Sequence, residues 1–186
     1  KKGIIPIVFI NDFQNASMLS KSLENIFYLS NTIDSKNKKL KHIGFQRHIN
    51  NLQDIQNNLD STSYSLGKLN MDINALEPAL READAIMVDL NVLSTAVLQL
   101  KDNKITGLYP DTLIQFIKFA SHSPNLKALF FKTENIIENN SKSPSEVIAT
   151  SIWYFLEGLL QGHHKPSQSD EKYFVSINET DEPLLF

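Results

Sequence analysis

Short apolar runs alternate along this chain with stretches whose apolar residues recur at helical spacing. The first run is Ile4-Ile-Pro-Ile-Val-Phe-Ile10, a β-branched strand over residues 4–10, and residues 16–24 then space Met18, Leu19 and Leu23 as one face of a helix. Further strands are expected at residues 26–33, 43–45, 64–66, 85–88 and 126–131, mostly separated by helix-like segments. Ala85-Ile-Met-Val88 is apolar at every position, which marks a strand covered on both faces. This alternation predicts an α/β fold on a mainly parallel sheet. The clearest helix opens at Ser143-Pro-Ser-Glu146, where a Ser cap, a Pro in the first turn and a Glu three residues on form a capping box. Val147, Ile148, Ile152, Phe155, Leu156, Leu159 and Leu160 give it an apolar face, Trp153 and Phe155 are expected in the core, and Gly162 offers a stop. Residues 173–177 and 184–186 flank a polar turn and are expected to form an antiparallel pair or to extend a sheet edge.

Composition narrows the class. With 186 residues, 41% hydrophobic and 21% charged, the chain suits one domain, residues 1–186. A domain of that size buries roughly 70% of its unfolded surface. A formal net charge of -3 with scattered lysines offers no basic footprint for nucleic acid or an anionic membrane, which leaves small molecules, proteins or further copies of the chain as partners. The absence of cysteine excludes disulfides, thiolate metal sites and cysteine nucleophiles, and agrees with a cytoplasmic location. No apolar run is long enough to span a bilayer, and the run after Gly3 reads as a strand rather than a signal peptide.

Ligands of parallel α/β sheets gather beyond the carboxyl ends of the strands, and Asp89 closes the 85–88 run. An Asp-x-Asp pair there could hold a divalent cation. Asn91, a neutral and weaker donor, occupies the second position, so the pair is broken.

Several segments in this order carry a resemblance: residues 4–10, Ile33-Asp34-Ser35, His42-Ile-Gly-Phe-Gln-Arg-His48, Glu77-Pro78 leading to Arg81-Glu-Ala-Asp84, Val88-Asp-Leu-Asn91, Thr106-Gly-Leu108 and Ile152-Trp-Tyr-Phe-Leu-Glu-Gly158. Together they resemble the ureohydrolase family of arginase, agmatinase and formimidoylglutamase, in particular a divergent bacterial branch close to formimidoylglutamase. The resemblance implies an arginase-like three-layer αβα sandwich with a mainly parallel sheet. It also implies that the N-terminal part of the family fold is lacking, as in a fragment of a longer chain.

Members of that family hold two manganese ions between His and Asp ligands from three motifs, and a bridging water attacks a guanidinium or formimidoyl carbon. Set against that pattern, most ligands are replaced here. The Gly-Gly-x-His-Asp motif falls on residues 10–15, where Phe13 or Gln14 takes the His position and Gln14 or Asn15 the Asp position. The Asp-x-His-x-Asp motif falls on residues 34–38: Asp34 keeps the first carboxylate, Lys36 replaces the His and Lys38 the second Asp. The Asp-x-Asp motif keeps Asp89 and has Asn91. A later Glu-x-Asn-Pro-x-x-Asp segment falls on residues 133–139, with Thr133 in place of the Glu.

A hydrolytic metal pair lowers the pKa of bound water and needs anionic ligands to offset its charge. Two carboxylates are too few. The resemblance and its departures together imply a catalytically inactive protein with no catalytic residue, no cofactor and no manganese bound, acting through a protein partner or as a homo-oligomer. Asp34 and Asp89 are then vestigial, paired to Lys36 or Lys38 or simply solvated. The alternative is a hydrolase of C–N bonds in a guanidino or formimino compound. Such an enzyme would use Asp34 or Asp89 as base and Lys36 or Lys38 to stabilise charge, or would bind metal atypically with ligands from elsewhere. Plainer roles stand beside these. Lys36 and Lys38 lie in a polar run, and Asp89 suits a cap for the following segment. His42, His48 and His122 suit structural roles, and the adjacent His163 and His164 are poorly placed to converge on one ion.

Overall fold

The computed structural model describes residues 4–10, 23–35, 39–59, 62–94, 106–133, 143–161, 174–175 and 184–185. Its six main strands are β1 (Ile7–Ile10), β2 (Ile26–Leu29), β3 (Leu40–Phe45), β4 (Tyr64–Ser65), β5 (Ala85–Asp89) and β6 (Ala128–Lys132). They form one sheet in the order β1-β6-β5-β2-β3-β4, and every neighbouring pair is parallel. Each expected run therefore yields a strand, with altered ends. The strand expected from residue 4 begins at Ile7, although the carbonyl of Pro6 still accepts the Leu129 N–H at 3.1 Å. The strand expected to reach residue 33 ends at Leu29, where the chain turns into a polar loop. β3 starts three residues before the expected run, because Lys41 and His42 interrupt its apolar pattern while His42 is buried and the Lys41 ammonium lies over the Phe27 ring.

The helices are α1 (Leu52–Asn58), α2 (Leu66–Met71), α3 (Glu77–Leu80), α4 (Pro110–Ser121) and α5 (Ser143–Gln161). Alternation along the strands divides their side chains between two faces. Phe27, Leu29, Ile43, Ile86, Val88, Leu129 and Phe131 pack in one core cluster with Leu69, Leu76, Leu113, Phe116 and Phe155 of the helical layer. Ile26, Tyr28, Leu40, Ala85, Met87, Ala128 and Phe130 form the opposite cluster, which is also buried. Burial on both faces is what a sandwiched parallel sheet requires, and it accounts for the uninterrupted apolar runs.

Two glycines fit this frame closely. Gly44 has φ +82°, the left-handed region, at the register shift between β3 and β4. A Cβ there would also crowd Leu29 and Val92. Gly158 lies where α5 crosses α4, and a Cβ would overlap the Ser121 hydroxyl oxygen.

α5 corrects one expectation. Phe155 is fully buried, with Val147, Ile148, Ile152 and Leu159 packed on the core, but Trp153, Leu156 and Leu160 are exposed. At 3.6 residues per turn, positions 153, 156 and 160 fall opposite positions 151, 155 and 158, which face α4 and the core. The two expected C-terminal segments do pair antiparallel, as β7 (Phe174–Val175) and β8 (Leu184–Leu185). The helix expected at residues 16–24 lies outside the described residues except for Leu23 and Glu24, which are not helical. Gly162 lies outside them as well.

Candidate functional site

The sheet order places the topological switch between β2 and β5: the chain proceeds from β2 to β3 and β4 on one side, and from β5 to β6 on the other. Crevices at such points are where open α/β sheets bind ligands, beyond the carboxyl ends of the strands. Asp89 ends β5 at this point. It is buried, 3% exposed, and its side chain lies on the same sheet face as those of Ala85 and Met87. Period-two alternation brings Tyr28 of β2, His42 of β3 and Lys132 of β6 to that face as well.

These residues meet in a compact charged cluster. Asp89 and Lys132 are directly opposite in the β5–β6 ladder, and the Lys132 ammonium lies 3.4 Å from Asp89 Oδ2. The Tyr28 hydroxyl donates to the same oxygen at 3.4 Å. Asp89 Oδ1 accepts the Asn91 backbone N–H at 3.0 Å, so Asp89 caps the single 3-10 turn Leu90–Val92, as its position suggested. Burial, together with the negative charge of Asp89, pushes the Tyr28 phenol well above its ordinary range and keeps the hydroxyl protonated as a donor. His42 stands edge-on to Tyr28, with ring centroids 5.9 Å apart.

Neutral amides tie the surrounding loops together. Asn31 Nδ2 donates to the Asn91 carbonyl at 2.8 Å. Asn50 accepts the Ile33 N–H at 2.7 Å and donates to the carbonyls of Asn31 and Gln46 at 2.9 and 2.7 Å. Gln46 closes a reciprocal pair with Thr106, donating to its carbonyl and accepting from its hydroxyl. Asn91 thus contributes both its backbone groups to holding the loops, through Asp89 and Asn31.

Of the positions singled out from sequence, the structure brings Asp89 and Asn91 together and holds Asp34, half-buried at the start of the 34–38 segment, near enough for its charge to act on Tyr28 as well. Lys36 and Lys38 lie outside the described residues, as do Phe13, Gln14, Asn15, His163 and His164. The cation beside Asp89 is Lys132, which the sequence reading missed because the expected strand stopped at residue 131. Its signal was the alternation with Ala128 and Phe130. His48 is exposed in a 3-10 turn, and His122 follows the last turn of α4, where burial lowers its pKa. Among the described residues no three His, Cys, Asp or Glu side chains gather closely enough to hold a metal ion. An open groove of about 370 Å³ lies elsewhere, between α4 and α5, lined by Asp111, Ile114, Gln115, Lys118, Thr150 and Tyr154.

The parallel sheet and its helices define an α/β chain of the arginase-like, or ureohydrolase, fold. Formimidoylglutamase from Bacillus subtilis subsp. subtilis str. 168 matches with a TM-score of 0.65 at 16% identity, over 83% of this chain and 61% of that one. Trypanosoma cruzi formiminoglutamase with Mn2+ matches at 0.70 and 15% identity, over 84% and 64%. Helicobacter pylori arginase matches at 0.58 and 13% identity, over 83% and 72%. This chain therefore spans 61% and 64% of the two formimidoylglutamases, and at these identities the likeness is one of fold. No family model and no curated protein sequence matches it.

Proposed function

We propose that this chain is a catalytically inactive ureohydrolase-like protein that acts through protein association, with residues 1–186 as one arginase-like domain. The observation that carries the reading is the Lys132 ammonium on Asp89, where a metal-binding relative would need uncompensated negative charge. A divalent ion about 4 Å from that ammonium would be repelled by about 8 kcal/mol at an effective dielectric near 20. The described residues therefore do not fit a manganese pair, and no hydrolytic step is routed through one. Asp34 and Asp89 are vestigial, and Asn91 has become part of the loop scaffold.

The metal-free alternative draws less support. A general base needs access to the proton it removes, and Asp89 is 3% exposed with both oxygens engaged. A cytoplasmic location belongs to the same proposal. No helix among the described residues is long and apolar enough to cross a membrane.

The test is an assay of the purified, manganese-incubated protein for urea release from arginine and agmatine and for formamide release from formimidoylglutamate. No release above buffer is expected with any of the three. Sustained turnover of any one of them that disappears with chelator would overturn the reading.

A further inference from the structure

The turn of residues 122–127 joins α4 to β6, and it is fastened to the start of β5 at two points. The Ser123 hydroxyl donates to the Ala83 carbonyl at 2.8 Å, and the Lys127 N–H donates to the Asp84 carbonyl at 2.8 Å. Ser123 Oγ also accepts the Asn125 N–H at 3.2 Å, so one buried hydroxyl both shapes the turn and ties it down. His122 is the first residue of this turn. Its ring Nε2 is buried and has no hydrogen-bond partner among the described residues. A neutral ring meets that condition with its proton on Nδ1, whereas a charged ring carries an N–H on both nitrogens and would bury a donor with no acceptor. We propose that His122 is a proton-operated latch, whose protonation opens the turn between α4 and β6.

The groups that could answer the charge in place are already engaged. Glu77 of α3 is the carboxylate whose charge favours the imidazolium, and its Oε1 is held by Arg81 at 2.8 Å. Arg81 and Lys118 both oppose the charge, and the Lys118 ammonium is itself held on Glu157 of α5 at 3.1 Å. Across the turn, Asp84 and Lys127 hold each other. The carboxyl end of α4 favours a cation, so what the charged ring lacks is an acceptor at Nε2. Moving outward gives that nitrogen water and keeps the ring beside the helix end. Because the ring is attached where the turn begins, its exit loosens the bonds that follow, from Ser123 to Ala83 and from Lys127 to Asp84. Burial lowers the His122 pKa, so the closed turn binds the proton less readily than the open one, and opening is favoured as pH falls below the ordinary imidazole range.

The test is backbone hydrogen exchange of the parent chain at about pH 7.5 and about pH 5.5, on either side of the ordinary imidazole value of about 6.5, corrected for the pH dependence of the intrinsic rate. Residues 122–127 are expected to lose protection several-fold at the lower pH, while residues 113–118 of α4 and the strand β5 keep theirs. His122→Gln is expected to show equal protection at both pH values. Arg81→Ala, at a side chain 62% exposed, releases Glu77 to face the charged ring and removes a charge that opposes it, and is expected to lessen the loss. Unchanged protection of residues 122–127 in the parent, or a loss shared equally with residues 113–118 and β5, overturns the inference whatever the variants do. So does a pH response that persists in full in either His122→Gln or Arg81→Ala.

Discussion

β5 and β6 carry the same ion pair at both ends: Asp84 with Lys127 where the strands begin, and Asp89 with Lys132 where they finish. The five-residue step is identical in both strands, and the ladder register sets each pair side by side. Their surroundings differ. Asp84 Oδ2 accepts the backbone N–H groups of Glu24 and Asn25, each at 3.0 Å, and its lysine is 57% exposed at 2.9 Å. Burial alone would raise the Asp84 carboxyl, but the bonds from Asn25, Lys127 and Glu24 outweigh it and hold the group below the usual carboxylate range. At the other end the Lys132 side chain is 18% exposed and the Asp89 side chain 4%. One pair is a surface clasp on a carboxylate already satisfied by backbone. The other neutralises a buried charge at the point where a parallel sheet would otherwise receive a ligand.

That difference sets the size of four expected effects. Lys132→Met leaves Asp89 buried without its cation and should destabilise the fold by about 3 kcal/mol. In urea unfolding, Asp89→Asn combined with Lys132→Met should regain most of that loss. If Lys132→Met cost no more than its counterpart at the amino end, the contrast between the pairs would collapse. Asp84→Ala removes the acceptor for two backbone N–H groups and should cost about 2 kcal/mol, read in the same way. Lys127→Met removes only an exposed partner, and a cost below about 1 kcal/mol is expected.

The smallest effect is a pH dependence outside both pairs. Burial lowers the His122 pKa, opposed by the charge of Glu77 and reinforced by those of Arg81 and Lys118. The unfolded state therefore binds the proton more readily, so stability declines as pH falls below the ordinary imidazole value of about 6.5. The midpoint of thermal unfolding should fall slightly between pH 7.5 and 5.5, and less so in His122→Gln. The Asp84 contribution has its own window: it is present above the ordinary carboxylate range and lost only as pH drops through the lowered value, so it does not confuse the first.

The sheet was legible in sequence because burial on both faces leaves apolar runs with nothing polar to obscure them, as at Ala85–Asp89. Strand ends were less so. Lys41, His42 and Lys132 are polar residues inside the ladder, and no periodicity within one strand says that a neighbouring strand supplies their partner. Asp89 and Asn91 could be picked out because a strand end in a parallel sheet is a defined place. Alternation with Ala128 and Phe130 puts Lys132 on one face of its strand, but its pairing with Asp89 follows only from the β5–β6 register, a fact of topology. The outer side of α5 misled for a related reason: a helix apolar around most of its circumference gives little sign of which side meets the core.

The most direct measurement of whether the Asp89–Lys132 pair excludes manganese is a titration of the ion into the purified protein, followed by the electron paramagnetic resonance of the free ion. Full retention of the free-ion signal at every ratio is the expected result. Loss of signal equivalent to two tightly held ions per chain would contradict it.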